Sequence, residues 1–190
     1  MRFHYGGKYK TEEDLKSKRE HPDGAVAFKE PKQNIFAVIA NGGCLVLVAC
    51  LLILICIMGK HDFRALMKAI GAGAVISMLT LIPHEFLHAL CFKEDVYLYL
   101  DPTRMLAFVH GVESMSKGRF IFMSLLPNLV FGVIPFAAFL INTDLLIAGT
   151  MGAFCIGMGF GDYINVFNAI TQMPRGSMTY LSGFHSYWYK

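Results

Sequence analysis

Apolar and polar positions in this chain are sorted into a few long blocks, not interleaved with the short periods of a soluble domain. Residues 1–34 are polar from the start (GGKYKTEEDLKSKRE), and 27 residues without a charge then separate Lys32 from Lys60. Another 24 uncharged residues separate Arg119 from Asp144, and the 30 between Asp144 and Arg175 are interrupted only by Asp162. The 24 residues between Lys68 and Lys93 carry His84, Glu85, His88 and Cys91 as their ionisable side chains. A helix needs roughly 20 residues to cross about 30 Å of hydrocarbon. The pattern therefore predicts spanning helices at residues 35–58, 66–92, 120–142 and 146–170.

Between the second and third of these, DVYLYLDPTRMLAFVHG places two aromatic and branched runs, 96–100 and 105–110, on either side of Asp101-Pro102-Thr103-Arg104. That is the signature of a β-hairpin, here at the membrane surface. A short helix is expected over 11–20, ended by the turn residues His21-Pro22-Asp23-Gly24. The predicted architecture is an all-α membrane protein with four transmembrane helices and one short β-hairpin in the cytoplasmic loop between helices 2 and 3. It divides into a polar cytoplasmic arm (1–34), a four-helix membrane domain (35–170) and an interfacial tail (171–190) anchored by Tyr187, Trp188 and Tyr189. With four spans, the arm, the 93–119 loop and the tail share one side and hold 14 of the 17 Lys and Arg residues. Basic residues stay inside, so a multi-pass protein of the cell (plasma) membrane with both termini cytoplasmic is expected.

Composition sharpens this picture. Hydrophobic residues make up 55% of the chain and charged ones 16%, too apolar a balance for a routine soluble domain. The net charge of +3 is small and its basic residues are concentrated in the arm, so no nucleic-acid partner is expected. No N-terminal stretch has the layout of a cleavable signal peptide. The cysteines form no C-x-x-C pair, which points to packing and not to thiolate metal binding.

One motif carries chemistry. PHEFLHAL, residues 83–90, contains H-E-x-x-H, which on a helix puts His84 and His88 one turn apart on the same face with Glu85 beside them. Two imidazoles can then share one zinc ion, and the carboxylate can take a proton from water. With seven His and seven Glu in the chain, chance supplies this pattern about 0.01 times. Three ionisable groups within five positions of an apolar helix also need a common reason. A third ligand is required, and Asp162 is the charged residue inside another predicted span. Measured from the predicted helix ends, it lies at the same depth as His84, about 12 Å from the cytoplasmic end. Glu94, Asp101, His110 and Glu113 on the loop are alternatives.

PHEFLHAL within a span, a strand-rich loop, Pro127 in the next span and Gly161-Asp162 in the last together resemble a small bacterial family of multi-span membrane zincin metallopeptidases, and more distantly the site-two intramembrane proteases. The resemblance covers residues from about 65 to 170 and implies that His84, His88 and Asp162 bind zinc and that Glu85 is the catalytic base. The N-P-D-G or L-D-G setting of the site-two aspartate is absent. Leu126-Pro127-Asn128 partly matches the G-P-x-x-N segment of that group, which makes Asn128 a substrate-contact candidate.

The function expected is that of an integral membrane Zn2+-dependent metallopeptidase hydrolysing peptide bonds in a membrane or membrane-adjacent polypeptide. The lipid bilayer is its other partner. The alternative is a non-catalytic membrane protein that binds or conducts metal ions or protons, with a homo-oligomer supplying any second half.

Overall fold

The computed structural model describes residues 1–11, 14–15, 19–59, 61–101 and 106–190. Half of the residues expected as a helix over 11–20, and the turn Pro102-Thr103-Arg104, lie outside the described residues. The chain forms two compact units, with boundaries after Glu30, His84, Ser124 and Ile164.

The first unit comprises Met1–Glu30, Glu85–Ser124 and Asn165–Lys190 and contains two sheets. One has the order β1 (Arg2–Lys8), β3 (Asp95–Asp101), β4 (Leu106–His110), with β1 parallel to β3 and β4 antiparallel to it. The other has the order β2 (Val26–Ala27), β7 (His185–Tyr189), β6 (Met178–Ser182), β5 (Met115–Ser116). Residues expected as a polar arm and a tail thus form strands. Gly7, with φ of 105°, absorbs the register shift that β1 makes after Tyr5. Val96 and Tyr99 on β3 are fully buried. Val96 packs with Phe28, Phe92, Met115, Phe120 and Met173 in one apolar cluster, and Trp188 lies against it.

The second unit, Pro31–His84 and Leu125–Ile164, is helical. It contains α1 (Gln33–Met58), α2 (Phe63–Leu79), α5 (Ile134–Ile141) and α6 (Leu146–Met158) around Ile55, Ala69, Phe136, Phe139 and Ala153. Small residues set the helix spacing. A Cβ on Gly73 would run into Thr150, whose Oγ1 donates to the Ala69 carbonyl at 2.7 Å. Close helix approach with a hydroxyl bonded across it is a packing mode suited to lipid surroundings.

The expectation of an all-α protein with four transmembrane helices is overturned. The fold is mixed, and among the described residues two helices are long and apolar enough to cross a membrane: α1 and the stretch Lys117–Ile141. The latter consists of α4 (Lys117–Pro127), a π-helical segment (Asn128–Val133) and α5. A third is reached only if α2 and α3 (Leu81–Leu90), bent by 44°, count as one span. The predicted helix over 146–170 is broken at Gly159 into α6 and α7 (Phe160–Gln172) of 13 residues each. Thirteen residues reach only about 20 Å. The topology that placed both termini in the cytoplasm was counted on four spans and loses that footing.

Candidate metal centre

The bend before α3 is written in its first turn. Thr80 ends α2, its Oγ1 donating to the Ser77 carbonyl at 2.7 Å. Pro83 has no N–H to offer the Leu79 carbonyl four residues back, so the ladder cannot run straight through. From there α3 carries His84, Glu85 and His88, each of which offers a ligand atom within 4.8 Å of the other two.

Each of these side chains is held. The Nδ1 of buried His88 lies 2.8 Å from the Met123 carbonyl. A carbonyl only accepts, so Nδ1 carries a proton, and the neutral ring then has its lone pair on Nε2, the tautomer a metal-binding imidazole needs. The Met123 carbonyl accepts this bond because Pro127, four residues on, cannot supply the usual helical N–H. Glu85 Oε2 accepts the Val109 N–H at 2.9 Å. That N–H is therefore not in the ladder to β3, and it marks the outer edge of β4 as the edge facing Glu85.

Within the second unit, Asp162 Oδ2 stands 3.3 Å from His84 Nε2, with both side chains more than four-fifths buried. At that distance the two side chains are close enough for one cation to take a ligand atom from each. Asp162 lies in the first turn of α7, where the helix N-terminus favours an anion. Asn128 Nδ2 donates to Asp162 Oδ2 at 2.9 Å, and the Tyr163 hydroxyl donates to Asn128 Oδ1 at 3.3 Å.

Two of the loop alternatives are engaged elsewhere. Glu113 accepts the Lys93 and Glu94 N–H groups at 2.6 and 3.0 Å and the Arg119 Nη1 at 2.5 Å. Burial alone pushes its carboxyl upward, but the Glu94 N–H, Arg119 and the Lys93 N–H outweigh it and hold the group below the ordinary carboxylate range. His110 points Nε2 at the Gly183 carbonyl, 3.0 Å away. Its burial lowers its pKa, partly countered by that bond. Sequence reasoning overlooked the Met123 carbonyl, the Val109 N–H and Tyr163, and read Gly159 only as allowing close helix approach. The signals it could have used are Pro127 four residues after Met123 and Gly159 three before Asp162.

Two imidazoles and a carboxylate are a donor set that suits zinc; among the described residues the group that could hold a metal ion is His84, Glu85 and His88, and Asp162, beside His84, is outside it. A family model described as "Putative zincin peptidase" matches residues 77–178, more than half of the chain. The match includes the H-E-x-x-H motif, Asn128 and Asp162. No curated protein and no solved structure matches the chain.

Proposed function

The chain belongs to the family carrying that zincin peptidase description, and from this membership we propose that it is a membrane-embedded, zinc-dependent endopeptidase. His84, His88 and Asp162 would hold the ion, and Glu85 would serve as base. The observation that carries the reading is the convergence of His84, Glu85 and His88 on α3, with the His88 tautomer set by the Met123 carbonyl. Zinc bound there would supply Lewis acidity to a peptide carbonyl and lower the pKa of water toward about 7. Glu85 takes the proton of the attacking water and returns it to the leaving amine. The Val109 N–H fixes the orientation of that carboxylate.

Membrane embedding is supported by the surface of α1, where Val38, Leu45, Val46, Ile53 and Ile57 are 58 to 76% exposed. A belt of that size needs lipid or protein to cover it. The first unit contains both terminal segments, and its residues include 13 of the 17 Lys and Arg. Positive residues are retained inside, so this unit is assigned to the cytoplasmic side. The substrate class is then a polypeptide in or beside the membrane. A substrate helix must unwind to expose a carbonyl, and the β4 edge beside Glu85 offers the unwound segment backbone partners.

The test is the metal content and peptide hydrolysis of the detergent-purified chain, with and without Glu85→Gln. One zinc per chain retained by both, with hydrolysis lost in the variant, supports the reading. A parent chain that binds no zinc, or a variant of full activity, refutes it.

A further inference from the structure

We propose that Asn128 is a positioning residue for the Asp162 carboxylate and that Gly159 is the notch that admits it, an inference that rests on Asp162 being a zinc ligand. Asn128 is 2% exposed, and its Nδ2 meets Asp162 Oδ2 at 2.9 Å. A carboxylate accepts only, so the amide must present Nδ2 to it. The opposite end, Oδ1, takes the Tyr163 hydroxyl at 3.3 Å, which stabilises that orientation against a flip. The side chain arises from the first residue of the π-helical segment after Pro127, the kind of helix irregularity that often re-aims residues at functional sites.

Gly159 supplies the independent observation. Its φ of −74° is open to any residue, so backbone freedom does not explain a glycine there. Space does: a Cβ at Gly159 would overlap Oδ1, Cγ and Nδ2 of Asn128 together. The break between α6 and α7 therefore makes room for one amide, and that amide grips the carboxylate three residues further on. The donor is neutral. It fixes the rotation of the Asp162 carboxylate without cancelling the negative charge that a cation would need, as an arginine or lysine in its place would do.

A group that hydrogen-bonds a metal ligand is typically worth about 10- to 100-fold in metal affinity. The experiment measures zinc affinity of the full-length, detergent-solubilised chain by chelator competition and the ligand-field spectrum of the cobalt-loaded form. The variants are Asn128→Leu, which keeps the branched outline and removes the donor, and Gly159→Ala, which displaces the amide while leaving Asn128 in the chain. Both should weaken zinc binding about 10- to 100-fold and shift the cobalt spectrum. Tyr163→Phe, which removes one hydroxyl and is the variant least able to disturb folding, should weaken zinc in the same direction by less. Far-ultraviolet circular dichroism of the metal-free chains checks that the helical second unit, which holds all three positions, stays folded. Asp162→Ala separates the layers. If it binds zinc like the parent, both the ligand assignment and this proposal fall. If it loses zinc while Asn128→Leu, Gly159→Ala and Tyr163→Phe keep the parent affinity and cobalt spectrum, the positioning role alone is refuted.

Discussion

Replacing Arg119 by Met should destabilise the first unit by about 3 kcal/mol. The guanidinium joins three pieces of backbone through two partners. Nη1 contacts Glu113 Oε1 at 2.5 Å, while Nε, at 2.8 Å, and Nη2 both donate to the Cys91 carbonyl, just past the end of α3. The Glu113 side chain is 6% exposed and that of Arg119 23%, so this pair is held well away from solvent. Removing one member of a buried pair typically costs about 3 to 5 kcal/mol because a charge is left without compensation. Glu113 keeps the Lys93 and Glu94 N–H groups, which puts the expectation at the lower end, roughly a 150-fold change in the folding equilibrium. The assay is denaturant unfolding in detergent micelles followed by the fluorescence of Trp188, the only tryptophan in the sequence, which packs on the Phe92–Met115–Phe120 cluster. Glu113→Gln in the Arg119→Met background should cost less than it does in the parent. A loss below about 1 kcal/mol for Arg119→Met, or strict additivity of the two changes, would refute the reasoning.

Asp162→Ala should lower zinc occupancy and hydrolysis together, while Glu113→Gln leaves zinc in place; metal analysis after dialysis decides, and the opposite result moves the third ligand to the loop. Glu113 has a folded pKa below its unfolded value near 4.3. Its contribution is therefore present above that value and lost as pH falls through the folded pKa, so the acid limb of the stability profile should flatten in Glu113→Gln. Thr150→Val, which removes the bond to the Ala69 carbonyl, should lower stability by about 0.6 to 1.7 kcal/mol in a detergent unfolding titration.

The parts of the site that follow from local geometry were legible in the sequence. One helical turn separates His84 from His88 in any helix, so the motif needed no tertiary information. The strand pairing of 95–101 with 106–110 was readable for the same reason, because alternation and a turn are local signals. The two sheets were not: β1 pairs with β3 across some 93 positions, and in Arg2–Lys8 the alternation is confined to Phe3 and Tyr5, too short a run to announce a strand. Hydropathy also failed at 146–170, since it sums apolarity and is blind to the break at Gly159, where the Asn128 amide from another segment packs against the backbone. The same blindness hid the 44° bend at Thr80, although Pro83 marks it.

Pro127 illustrates a conflict between folding economy and chemistry. A proline inside a helix costs about 3 kcal/mol relative to alanine, and here the missing N–H is what turns the Met123 carbonyl outward to His88. Alanine at this position would give the helix back its internal bond and set that bond in competition with the imidazole. The variant would be expected to resist unfolding better and to grip its metal less well. Selection for stability alone would erase this proline, and a stabilised version of the protein should be checked for that loss first.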